Sequence, residues 1–176
     1  MLRSWQKRIN LGKDYLTIVR KLHAVGIAIC AAFMFGGDND TPDVFERTLE
    51  FLLEANVETL QATRLTPFPG TPLFAELDQQ GRIFDKEWSH YDFNNVVFQP
   101  RHMSCETLDK GVSWVLRQFH TRNNVARRVW KGIQYLDPGL VFGGVLPLNL
   151  GWRQKLSKDG NFQRGIVLAS EPGGKL

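Results

Sequence analysis

The sequence predicts an α/β fold. Three observations carry that expectation: an unbroken apolar run from Ile27 to Phe35, helical spacing of apolar residues on both sides of it, and an alternating run from Val57 to Thr66. A strand covered on both faces reads as continuous apolar sequence, and a half-covered one alternates. The order helix, strand, helix, strand with short connections indicates a right-handed βαβ architecture. Two strands do not make a stable sheet or barrel alone. The chain is therefore expected to be part of an open or closed α/β structure whose earlier strands lie elsewhere.

Each element has its own signal. Leu11, Tyr15, Ile18, Val19 and Leu22 recur at helical spacing, so a helix is expected from about Asn10 to Ala24, with Gly26 as its stop. His23 near its end reads as a dipole or cap interaction. Ile27 to Phe35 follows as a strand buried on both faces, with Cys30 a small buried side chain. Gly36 and Gly37 open a loop containing Asp38 and Asp40. Thr41 is a good N-cap for the next helix and Pro42 suits its first position. Phe45, Leu49, Leu52 and Leu53 form the apolar stripe, and Asn56 can end the helix in a left-handed conformation. In the second strand Thr59, Gln61, Thr63 and Leu65 point one way and Leu60, Ala62 and Arg64 the other. Pro67, Pro69, Gly70 and Pro72 make a rigid turn before a short helix, Leu73 to Gln80, closed by Gly81.

The character changes after Arg82. Trp88, Tyr91, Phe93, Val96, Val97 and Phe98 form an irregular aromatic segment. From Ser104, the spacing of Leu108, Val112, Val115, Leu116 and Phe119 predicts a helix. A break at Asn123-Asn124 and a basic helix, Val125 to Ile133, are expected next, ended by Asp137-Pro138-Gly139. The remainder has no period and is expected to be irregular, with Glu171 to Leu176 frayed. The expected divisions are residues 1–82, 83–136 and 137–176.

Composition removes several classes. The apolar fraction of 43% supports a core. Two cysteines, Cys30 and Cys105, cannot form a disulfide framework or a four-thiolate metal site, and they fit a reducing, cytoplasmic setting. The basic start lacks an apolar h-region, so it is not a secretory signal. Leu140 to Trp152 is too short and too broken by glycine to span a bilayer. The net charge of +4 is concentrated at Arg117, Arg122, Arg127, Arg128 and Lys131. A solvated helix face is the expected reading; peripheral membrane contact stays open, and nucleic acid is not favoured.

Two motifs remain. Phe33 to Thr41 runs from a buried strand through Gly36-Gly37 into a helix. In α/β folds ligands bind at such strand ends, and glycines allow close approach to the backbone. Leu65-Thr66-Pro67-Phe68-Pro69-Gly70-Thr71-Pro72-Leu73 is stiff and holds its polar backbone groups in fixed directions. Each motif alone can be an ordinary turn.

Together they resemble the fifth- and sixth-strand regions of radical S-adenosylmethionine (SAM) enzymes. Lys7-Arg8-x-Asn10, Phe45-Glu46-Arg47-Thr48-Leu49, Gly81-Arg82-Ile83, Trp88-x-x-Tyr91-Asp92 and Val96-Val97-Phe98-Gln99-Pro100 are similar to the subgroup with an N-terminal cobalamin-type domain. The resemblance runs from about Trp5 to Trp130. It implies the C-terminal part of a partial (β/α) TIM-type barrel followed by a mainly α-helical extension. In that family a [4Fe–4S] cluster and SAM generate a 5′-deoxyadenosyl radical that abstracts hydrogen from substrate. The resemblance implies that Gly36, Gly37 and Asp40 lie near SAM. It places Pro67, Phe68, Pro69, Gly70 and Thr71 near adenine, and Gln61 and Thr63 toward SAM or substrate. The family usually has a larger apolar residue where Gly37 stands.

The family's Cys-x-x-x-Cys-x-x-Cys loop is missing from this sequence. The resemblance therefore implies a partner: an N-terminal half, in the same gene or a split subunit, holding the cluster loop, four strands and any cobalamin domain. Neither SAM, the cluster nor cobalamin is expected to bind stably to this chain alone. A small-molecule or lipid-like substrate stays open. The rival reading is a non-catalytic interaction module that docks a protein, nucleic acid or membrane through the basic helix. His102-x-x-Cys105 supplies only two ligands and no partner pair, so no metal site is expected.

Overall fold

A computed structural model describes residues 14–158. The elements are α1 (Tyr15–His23), β1 (Cys30–Phe35), α2 (Val44–Ala55), β2 (Thr59–Arg64), α3 (Pro72–Gln79) and a 3-10 turn (Trp88–His90). They continue with α4 (Cys105–Phe119), α5 (Arg122–Gly132), a short α6 (Pro138–Leu140), a π turn (Val141–Val145) and α7 (Leu146–Lys158). The fold is α/β, with β1 and β2 in one parallel pair. The expected helix onset at Asn10 and Leu11, the motif Lys7-Arg8-x-Asn10 and the frayed end from Glu171 lie outside the described residues.

The βαβ unit forms because each connection is chemically signposted. Asp14 caps α1 by accepting the Thr17 N–H at 3.1 Å. Gly26 then turns the chain at φ +76°. Asn56 ends α2 at φ +56°, as the sequence predicts. The start of α2 differs. Thr41 is not the cap; its hydroxyl donates to the Asp43 carboxylate, and its carbonyl accepts the Val44 N–H in a preceding turn. Asp43 takes the N-cap position without a side-chain bond, two residues later than expected.

The sheet registers Cys30 against Thr59 and Phe35 against Arg64. One face is covered. Phe35 meets Phe45 of α2 at 5.2 Å between ring centroids, and Phe33 meets Phe51 at 6.1 Å. Leu60, Leu52, Leu108, Val112 and Phe119 complete this core. Burying each large apolar side chain contributes about 1.5–3 kcal/mol. Gly111 lets α4 approach α2: a Cβ there would sit 2.2 Å from the Phe45 ring. The other face is open, so β1 is not buried on both sides. Cys30 is exposed rather than the small buried side chain expected, and so is Ala32. A continuous apolar run records which side chains tolerate cover. Cover itself requires a second layer, and the described residues do not place one on this face.

The C-terminal half departs most from expectation. The break before α5 falls at His120 and Thr121, not at Asn123-Asn124. Thr121 is the cap, and Asn124 Nδ2 donates to the Gln118 carbonyl at 2.7 Å, which holds Asn124 in the first turn. Asp137 does not end the basic helix; α5 stops at Gly132, and Asp137 starts the next segment by accepting the Leu140 N–H at 3.1 Å. Residues 138–158 are helical rather than irregular. Their buried stripe is Val141, Val145 and Asn149, spaced four apart. The third member is polar, so an apolar period is not visible.

Arg128 also departs from the solvated face. It is buried, donates to Asn149 Oδ1 at 2.6 Å and to the Phe119 carbonyl at 3.0 Å, and stacks 3.7 Å above the Phe119 ring. A guanidinium fork is suited to this combination of stacking and paired donation. Asn149 in turn donates to the Glu58 carbonyl at 3.0 Å. The extension is thus tied to the start of β2 by a buried polar chain.

Candidate functional site

The two motif loops leave the same end of the sheet. β1 and β2 are parallel, so Gly36–Asp40 and Leu65–Thr71 both follow C-terminal strand ends. The Leu65 N–H donates to the Phe35 carbonyl at 2.7 Å, which locks the two exits side by side. This is the end at which α/β folds place ligands.

Asp40 organises the first loop. Its buried carboxylate accepts the N–H groups of Gly36 and Gly37, both at 3.0 Å. Burial pushes its pKa up, and the two backbone donors oppose that shift. Gly36 sits at φ +107°, and a Cβ there would lie 2.9 Å from Leu108 Cδ2. The backbone conformation therefore requires glycine at this position, and a Cβ would also force the Leu108 methyl to shift.

Asp38 faces a different partner. Arg82 grips its carboxylate with two bonds, at 2.8 and 3.1 Å, and Arg101 adds an ion pair at 3.3 Å. The Arg82 hydrogen bond leads in holding the Asp38 carboxyl below the usual carboxylate range. Arg82 also donates to the Gln99 carbonyl at 2.8 Å. It thus joins the first loop to the strip around Phe98. The sequence marks Arg82 only as part of Gly81-Arg82-Ile83; a pairing across 44 residues leaves no spacing signal. Asp38 and Asp40 therefore have loop-building roles.

In the second loop Pro67 is buried, whereas Phe68, Pro69 and Gly70 are exposed. Phe68 packs edge-on against Phe93, with centroids 5.2 Å apart. Gly70 turns at φ +80° with open space where a Cβ would be. Thr71 is the cap of α3: its hydroxyl donates to the Phe68 carbonyl at 2.6 Å and accepts the Phe74 N–H at 3.2 Å.

Gln61 and Thr63 lie on the open sheet face with Cys30 and Ala32, as the alternation predicts. They border a groove of about 870 Å³ that passes the outer edge of β2 and reaches Phe93, Trp152 and Lys155. Arg64, on the opposite face, pairs with Asp109 of α4 at 2.6 Å.

His23 is the last residue of α1, at the C-terminal end where a dipole or cap interaction is expected, and its ring also reaches beyond its own helix. It is buried beside Glu58 at 3.3 Å and stacks on Tyr135 at 4.1 Å. These groups lie at the N-terminal end of β2, away from the motif loops.

The thiols do not fit an iron–sulfur cluster. Cys30 projects from β1, and Cys105 starts α4 with its thiol 3.3 Å from Gln99 Oε1. Burial pushes the Cys105 thiol pKa up, which disfavours a ligating thiolate. Among the described residues, no three His, Cys, Asp or Glu side chains are grouped to hold a metal ion. No helix among them is long and apolar enough to cross a membrane.

Comparison with known proteins decides the relationship. A bacteriochlorophyllide d C-12(1)-methyltransferase of Chlorobaculum tepidum is 33% identical over 129 residues, covering 73% of this chain and 28% of its own length. An anaerobic magnesium-protoporphyrin IX monomethyl ester cyclase of Cereibacter sphaeroides is 30% identical over 114 residues, covering 65% of this chain and 18% of its own length. These homologues are radical SAM enzymes of the cobalamin-binding type. A third radical SAM relative, the hopanoid C-2 methylase of Rhodopseudomonas palustris, is 30% identical over 94 residues, or 52% of this chain and 18% of its own. The chain thus spans less than a third of each of these radical SAM relatives. No protein-family profile matches it.

Proposed function

We propose that this chain is the closing, C-terminal piece of the partial (β/α) barrel of a radical SAM oxidoreductase or methyltransferase. The observation that carries this reading is the shared exit of the Gly36–Asp40 and Leu65–Thr71 loops from one end of a parallel βαβ unit whose other sheet face is open. Gly36, Gly37 and Asp40 would line one side of a SAM site. Pro67, Phe68, Pro69, Gly70 and Thr71 would line the side near adenine. The Asp40 carboxylate holds the first loop in shape by occupying two N–H groups. Gln61 and Thr63, on the open sheet face, would face the lumen; the Thr63 hydroxyl also donates to the Phe33 carbonyl at 3.4 Å. The relatives named for a bacteriochlorophyllide, a magnesium-protoporphyrin ester and a hopanoid act on large polycycles. A substrate of that size suits the groove between Gln61 and Trp152.

The described residues do not offer the thiolates that a four-iron cluster needs. The cluster ligands, the remaining strands and any cobalamin domain belong to another segment or subunit, and the chain alone is inactive. Anaerobic reconstitution of the purified chain with iron and sulfide tests this. The expected spectrum lacks an iron–sulfur charge-transfer band, and dialysis against labelled SAM retains none. A stable four-iron cluster on this chain by itself would overturn the proposal.

A further inference from the structure

The charge of this protein is separated along its length. Residues 121–158 contain seven cationic side chains, Arg122, Arg127, Arg128, Lys131, Arg153, Lys155 and Lys158, and one carboxylate, Asp137. Their surplus of six exceeds the +4 of the whole chain, so the rest is net acidic. Arg128 is buried, and the surface of the extension carries the others.

The same stretch exposes large apolar side chains. Trp130 is 68% exposed, Phe142 56% and Leu150 50%. On α5 the arrangement is ordered. Val125, Arg128 and Gly132 are buried, and Arg127 and Trp130, three residues apart, point outward on the opposite side. A tryptophan beside arginine on an outward helix face has a polar edge and an apolar body, which suits the boundary between lipid headgroups and acyl chains. Large apolar side chains held in solvent next to cations, as Trp130 is beside Arg127, are a feature that interaction surfaces share. Nucleic acid would use the cations but would leave these side chains without an apolar medium.

We infer that the α5–α7 extension docks on the surface of an anionic lipid bilayer, with Arg127 and its neighbouring cations meeting headgroups and Trp130 and Phe142 inserting at the interface. The contact is peripheral and adds to the barrel-closing role without depending on it. Each cation near an anionic leaflet contributes about fivefold in partitioning, screened by salt. The apolar side chains contribute in proportion to the area buried.

The test is flotation of the full chain with vesicles of mixed phosphatidylglycerol and phosphatidylcholine, against phosphatidylcholine alone. The expected result is binding to the anionic vesicles at low salt, at least tenfold weaker on neutral ones and reduced by added salt. Arg127→Glu reverses one charge and is expected to weaken binding roughly twentyfold. Trp130→Gln is expected to weaken it severalfold and to remove part of the tryptophan quenching by brominated lipid. Both side chains are exposed, so the fold should persist, as far-UV circular dichroism would report. Absence of anionic-vesicle binding at low salt overturns the inference, as does binding that neither substitution changes. Tight binding of duplex DNA, unaffected by Trp130→Gln and unaccompanied by vesicle binding, would reassign the surface to nucleic acid and also overturn it. SAM and iron are absent from the assay, so its failure leaves the barrel proposal untouched.

Discussion

The Tyr135 hydroxyl donates to the Glu58 carboxylate at 2.7 Å, joining the loop after α5 to the entry of β2 across 77 residues. The same hydroxyl accepts from Asn56 Nδ2 at 2.7 Å, and Glu58 also accepts the Ile29 N–H at 2.7 Å. Burial, then the bond to Glu58, pushes the phenol pKa far up, so the hydroxyl keeps its proton and remains a donor. Glu58 is only 1% exposed. It is therefore a buried carboxylate whose neighbours come from both halves of the molecule.

Tyr135→Phe is expected to cost about 2 kcal/mol of stability, because it removes a hydrogen bond to a buried carboxylate. Urea denaturation checks the value. A loss under about 0.5 kcal/mol would mean that the joint does not hold the extension in place.

His120 should make stability depend on pH. Its ring is 1% exposed, Nδ1 meets the Leu116 carbonyl at 2.8 Å, and Nε2 has no hydrogen-bond partner. Burial, with a smaller contribution from Arg128, lowers its pKa from 6.5 to about 4. Between those values the unfolded chain binds the proton and the folded one does not. Stability is thus full above the unfolded value and falls as the pH drops through the window, by about 3 kcal/mol in all. His120→Phe should flatten that part of the profile. Parallel profiles for the two proteins would refute this account.

Gly111→Ala is expected to destabilise by about 3 kcal/mol, since the new Cβ would enter the Phe45 ring and α4 cannot withdraw from α2 without opening the core. Adding Phe45→Leu should recover part of the loss, a coupling that a double-mutant cycle measures. Additive losses would show that the two positions do not meet.

The legibility of this protein follows the range of each interaction. α4 was readable because Leu108, Val112, Val115 and Phe119 repeat along one helix face and Ser104 caps it. The Gly36-Gly37 and Pro67–Thr71 loops were readable because glycine and proline act on their own backbone. The stripe of α7 was hidden because Asn149 occupies a position where periodicity looks for an apolar residue. Arg82 and Tyr135 were hidden because their partners, Asp38 and Glu58, are remote in sequence.

By itself the sequence determined the βαβ order, the alternation along β2, the stop at Gly26, the left-handed end at Asn56, and the likeness to radical SAM enzymes. These depend on periodicity, single-residue backbone preference and local motifs, all of which are written within a few residues. Only the tertiary structure decided that one sheet face stays open, that Arg128 is a buried strut, and that residues 138–158 are helical. Those outcomes depend on which distant side chain satisfies a buried charge or covers an apolar face. Such pairings are chosen by the packed chain as a whole.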